Sequence, residues 1–278
     1  MTIVARNKMK LLTLSVSLSL AIFALFSYVY SLLSHAYVVP LEWLLQFVEV
    51  PSVYSRFTLE YSPLAVSTVA LFFAITSSVS LIYTYFAFRK IQSTEIVFFE
   101  LFLFSLSWEA LRLLVPYFGF SSIIMAELSS ISRLLYFFKF MSIFSLLGMA
   151  LFSTVNVTRQ KTFIVASFIF ISLMLSMSSP LDCSQVNYLF LAGQPFIQGY
   201  VTLVLASSVC LILTVVCYYL YERLQERFYM IGSSISVVIG YVVLLFSGDY
   251  WTLTFGMFFF LYGEANIIKN IRSIYLWK

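Results

Sequence analysis

Residues 63–88 read PLAVSTVALFFAITSSVSLIYTYFAF, with no charged side chain from Pro63 to Phe88 and with Arg89 and Lys90 directly after. A helix that crosses the hydrocarbon core of a bilayer needs about 20 predominantly apolar residues, and this run exceeds that. A transmembrane strand is excluded, because such strands take about 10 residues and alternate polar with apolar positions.

Outward from this run the pattern recurs. Apolar stretches bounded by charge or turn residues fall at 11–34, 63–88, 95–118, 131–155, 162–179, 199–221, 229–247 and 250–266. The chain of 278 residues is 62% hydrophobic and only 10% charged, against about 25% in an ordinary soluble domain, and its mean hydropathy is +0.98. The expected fold class is therefore all-α: a polytopic helical membrane protein, one domain over residues 1–278 with about eight transmembrane helices in one bundle. Disorder and a disulfide scaffold are excluded by the same figures. So is a nucleic-acid partner, because the net charge of +4 comes from 16 basic residues that the topology disperses.

The first run is compared with a signal peptide because Ser34, His35 and Ala36 carry small residues where a cleavage site would fall. Its apolar core is about twice as long as the 7 to 15 residues of a cleavable segment, so a retained helix is expected. Orientation follows from the basic residues, since cationic loops resist translocation. With the N-terminus in the cytoplasm, Arg6, Lys8, Lys10, Arg89, Lys90, Arg159, Lys161, Arg223, Arg227, Lys269, Arg272 and Lys278 all fall inside, 12 of the 16. Both termini are thus expected in the cytoplasm, and the expected setting is a bacterial cytoplasmic (inner) membrane.

Between the runs, the cytoplasmic connections and the tail after residue 266 are too short for a kinase, cyclase or nucleotide-binding output domain. Outside, residues 37–60 are expected to form an amphipathic interfacial segment. Pro40 opens it, Leu41, Leu44, Leu45 and Val48 recur at helical spacing, and Trp43 anchors it at headgroup level. The second outer loop, 180–198, is expected to fold back onto the bundle around Gly193 and Pro195.

Charges inside the runs demand an account, since each costs roughly 2.5 to 3.5 kcal/mol on insertion scales. The third run carries Glu100, Glu109 and Arg112, and the fourth carries Lys139. Counting about 1.5 Å per residue from the outer ends places Glu109 and Lys139 at matched depths on consecutive antiparallel helices. Ser105, Glu109 and Arg112 share one helix face, and Ser132, Tyr136, Lys139 and Ser142 form the facing stripe. The expected constellation is Glu109 with Arg112 and Lys139, one net positive charge. Two accounts stay open: a ligand or ion site, with Arg112 and Arg133 alternatively reaching for lipid phosphates, or an ion pair that only fixes helix register. Glu100 and Glu264 are placed near the cytoplasmic face, with Glu264 reaching Lys269 or water.

Gly232, Ser236 and Gly240 form a small-residue series in the seventh run, and Gly256 and Gly263 stand one heptad apart in the eighth, spacing that lets backbones approach closely. No cofactor and no metal are expected: His35 stands alone, and Cys183, Cys210 and Cys217 suit neither a disulfide nor a metal site. No HExxH, acidic prenyl-diphosphate motif or histidine cluster occurs. The expected function is non-enzymatic, a sensor or receptor-like bundle or a membrane subunit of a larger assembly acting through partners. Those partners are the lipid bilayer and a protein or second copy, met through the helix bundle or through a cytoplasmic surface of Arg223, Arg227, Lys269 and Arg272. The alternative is a small-solute or ion transporter using the buried charges; against it, only 9 Gly and 6 Pro supply hinges.

Overall fold

A computed structural model of the chain describes residues 3–33, 62–88, 93–117, 124–154, 161–179, 181–186, 192–193, 196–220 and 224–276. Among them eight α-helices follow one another: α1 (Ile3–Leu33), α2 (Pro63–Ala87), α3 (Thr94–Ser107), α4 (Ile124–Thr154), α5 (Lys161–Ser178), α6 (Phe196–Leu220), α7 (Leu224–Phe246) and α8 (Tyr250–Leu276). A 3₁₀ segment, Trp108–Tyr117, continues α3. The described residues are all-helical apart from a short antiparallel hairpin of β1 (Asp182–Val186) and β2 (Ala192–Gly193), which lies between α5 and α6 against α4. The interfacial segment 37–60 lies outside the described residues.

Among the described residues, four helices are long and apolar enough to cross a membrane, over Asn7–Tyr30, Pro63–Ala87, Leu128–Leu151 and Tyr229–Phe246. The chain is therefore built for membrane integration. α4 is the hub, with 72% of its apolar window buried against α3, the 3₁₀ segment, α5 and α6, whereas α1 buries only 17% of its own and lies at the edge. Bulky apolar side chains such as Phe26, Phe86, Phe163 and Phe258 point outward, the arrangement of a protein whose solvent is lipid.

Hydroxyls populate the interior instead. Ser67, Ser77, Ser145, Ser172 and Thr214 are buried, and each donates to the backbone carbonyl three or four residues earlier in its own helix. A hydroxyl satisfied in this way behaves as a small packing residue. Ser17 and Ser78 instead bridge α1 to α2, their oxygens 2.8 Å apart. Beside them Ala24, Ala70 and Ala74 pack with Ala110 and Leu113 of the 3₁₀ segment.

The connection of α7 to α8 is tight. Asp249 caps α8, its Oδ2 accepting from the Trp251 and Thr252 amides at 3.1 and 3.0 Å, and Gly248 accepts from the Ser62 amide at 2.8 Å. α8 does not stop near residue 266 as the hydropathy suggests. It runs on to Leu276 because Ile267 and Ile271 extend the buried stripe of Phe260 and Glu264, while Lys269 and Arg272 occupy the exposed side. Gly240, Gly256 and Gly263 lie where α7 and α8 touch: a Cβ on Gly263 would stand 2.6 Å from the Val237 amide nitrogen, and one on Gly240 would collide with the Phe260 backbone. Gly232 does not belong to this seam, since nothing approaches its Cβ position within 4 Å.

Candidate functional site

The third apolar run is not one continuous α-helix. The backbone tightens at Trp108 into a 3₁₀ helix of 10 residues, although such stretches rarely exceed three or four. Burial shows why it persists. With three residues per turn, side chains eclipse at every third position: Trp108, Leu111 and Leu114 are half-buried, Glu109 and Arg112 are buried, and Ala110 and Leu113 are buried on the third edge. Each edge finds its own environment, respectively the aromatic flank, the polar cluster and the alanine patch under α1.

This geometry brings Glu109, Arg112 and Lys139 together. Glu109 Oε1 lies 3.7 Å from Lys139 Nζ, and Glu109 Oε2 lies 3.8 Å from Arg112 Nη1. All three are enclosed, at 3%, 0% and 2% exposure, so Arg112 does not reach out to lipid. Lys139 Nζ also sits 5.5 Å from the centre of the Tyr136 ring, a cation–π distance. Ser142 donates to the Lys139 carbonyl at 2.8 Å, and its oxygen is 2.8 Å from the Tyr241 hydroxyl, which ties α7 into the cluster. On the flank, Trp108 stacks on Phe138 with ring centres 4.4 Å apart. Ser105 takes no part, since it donates to the Leu101 carbonyl. Two cations face one carboxylate at distances beyond hydrogen-bond reach, so the attraction is coulombic.

The remaining ionised groups have other partners. Lys10 of α1 pairs with Glu100 of α3 at 2.6 Å, a contact that sequence reasoning missed although the orientation rule puts both residues at the same membrane face. Arg133 donates to the Met177 carbonyl at the end of α5 at 3.3 Å and so, like Arg112, is a protein contact. Glu264 does not snorkel to Lys269 or water. It is 3% exposed and faces the Ser80 hydroxyl of α2. Of the expected cytoplasmic surface, Lys269 is exposed, and Arg272 is exposed with Nη1 3.4 Å from the Tyr83 hydroxyl. Arg223 and the side chain of Arg227 lie outside the described residues, as do His35 and the side chains of Cys183 and Cys217. Cys210 is a buried free thiol.

No protein-family model matches the chain, and no match is found among curated proteins or solved structures.

Proposed function

We propose that the chain is a bundle of eight membrane crossings with both ends in the cytoplasm, set in a bacterial cytoplasmic membrane. It has no catalytic activity of its own and acts through protein partners, as a sensor or receptor-like bundle or as a membrane subunit. In this reading α3 and its 3₁₀ extension cross as one unit, and α5, α6 and α8 add the crossings that the four longest apolar helices leave open. The observation that carries the partner reading is the enclosure of Glu109, Arg112 and Lys139, which offers a soluble ligand no accessible charge in this conformation. A buried ion cluster then fixes helix register. Accessible charge stands instead on Lys269 and Arg272, at the end of the bundle where Lys10 and Glu100 also lie, and Arg223 and Arg227 extend it in sequence.

Copurification of the tagged full chain from mild detergent tests this. A protein partner is expected to come along and to be lost when Arg227, Lys269 and Arg272 are neutralised together, while elution volume and helicity stay unchanged. Transport is the second reading, favoured by one feature: a 3₁₀ stretch inside a span marks a hinge or a strained sequence, and here it carries Glu109 and Arg112. If the partner stays bound to the neutralised chain, or none is found while reconstituted vesicles move a solute, transport through that cluster replaces the partner account.

A further inference from the structure

An aromatic layer crosses the bundle. Phe260 of α8 packs on Phe72, Phe73 and Phe102 with ring centres 5.9, 5.5 and 6.3 Å away, and Tyr241 of α7 packs on Phe73 and Phe102 at 5.8 and 6.4 Å. The Glu109 cluster lies on one side of this layer, about two turns beyond Phe102 along α3. On the other side, one turn beyond Phe260, stands Glu264. Its Oε1 is buried with no hydrogen-bond partner among the described residues, and the same holds for Ser234 Oγ of α7. Register places the two orphan atoms in one quadrant. α7 and α8 are antiparallel with Val237 beside Gly263, which puts Ser234 and Glu264 within about 3 Å along the bundle axis. Ser234 lies two turns from Tyr241, on its side of α7, and both helices turn these sides toward α2 and α3.

We propose that Glu264 is an intramembrane proton-binding site. Glu100, Glu109 and Glu264 differ in what faces them: Lys10 for the first, Lys139 and Arg112 for the second, the Ser80 hydroxyl for the third. Among the described residues no basic group lies within ion-pair distance of Glu264. The titratable and charged groups at this level of the surrounding elements are otherwise engaged or turned away. Tyr83 of α2 contacts Arg272, Glu100 of α3 holds Lys10, Glu95 begins α3, and Tyr229 of α7 and Lys269 of α8 are exposed. A carboxylate without a counter-cation in an apolar interior is stabilised by taking up a proton. As a carboxylic acid Glu264 can donate one hydrogen bond, and Ser234 Oγ is an acceptor in the same quadrant.

Dicyclohexylcarbodiimide, an apolar reagent that adds to protonated carboxyls, tests the site in the full chain reconstituted in lipid vesicles, with the modified peptide identified by mass spectrometry. An adduct is expected on Glu264, retained in Glu264→Asp and absent in Glu264→Gln. The adduct should fade as pH rises, by about tenfold per pH unit once past the midpoint. Glu100 and Glu109, each faced by a cation, are expected to stay unmodified. The proposal is overturned if Glu264 stays unmodified throughout while the denatured chain is labelled, or if Glu100 and Glu109 label equally. Protection by sodium or potassium ions at fixed pH also overturns it and reassigns the site to a metal cation.

Discussion

Glu109 stands between two cations, and the charge count decides what each substitution does. Removing its charge takes the shared carboxylate from both Lys139 and Arg112, whereas removing that of Lys139 leaves Glu109 facing Arg112 at 3.8 Å. Breaking a buried pair so that a charge is stranded costs about 3–5 kcal/mol. Glu109→Gln is therefore expected to destabilise the bundle by that amount, and Lys139→Met by less than about 1 kcal/mol. The double variant should be more stable than Glu109→Gln alone, because it no longer buries the Lys139 charge without Glu109. Denaturation in mixed micelles measures all three, and equal, additive losses for the single variants would contradict this balance. Depth arithmetic places Glu109 and Lys139 at one level from sequence alone, because both are measured from an outer membrane edge that hydropathy defines. The Lys10–Glu100 contact escapes that method: it joins α1 to α3, and sequence adjacency offers no reason to pair those helices.

Elements carry a second set of consequences. Hydropathy averages over a window, so it reads 95–118 as one helix and is blind to a change of helical type within it. The signal for the 3₁₀ segment is finer, large apolar residues at Trp108, Leu111 and Leu114 in step with charges at Glu109 and Arg112. The end of α8 was hidden for the opposite reason. Lys269, Asn270 and Arg272 lower the average while Ile267 and Ile271 keep the buried stripe intact. Small residues mark the α7–α8 seam in sequence, but only the structure separates Gly232 from it. Ala substitution of Gly240 or Gly263 forces a methyl group against the neighbouring backbone and should cost about 1–3 kcal/mol. Gly232→Ala meets open space and should be neutral or stabilising by up to about 1 kcal/mol through helix propensity. Unfolding midpoints of the three variants check this, and a loss at Gly232 as large as at Gly240 would place the seam elsewhere.

At the scale of the molecule, the contacts sort the bundle into two ends. Lys10 of α1 reaches Glu100 near the start of α3, and Arg272 of α8 reaches Tyr83 near the end of α2, so the first and last helices bring their chain-terminal portions to one face. Ser62 before α2 meets Gly248 and Tyr250 at the opposite face, and Arg133 meets Met177 at the far end of α5. In the proposed reading an even number of crossings places both chain ends on one side, and the orientation rule for basic residues assigns that side to the cytoplasm. Reporter fusions after Arg89, Arg159, Arg223 and Lys278 test this account most directly. Eight crossings with cytoplasmic ends predict a cytoplasmic signal at all four positions; an external signal at any one of them would contradict it.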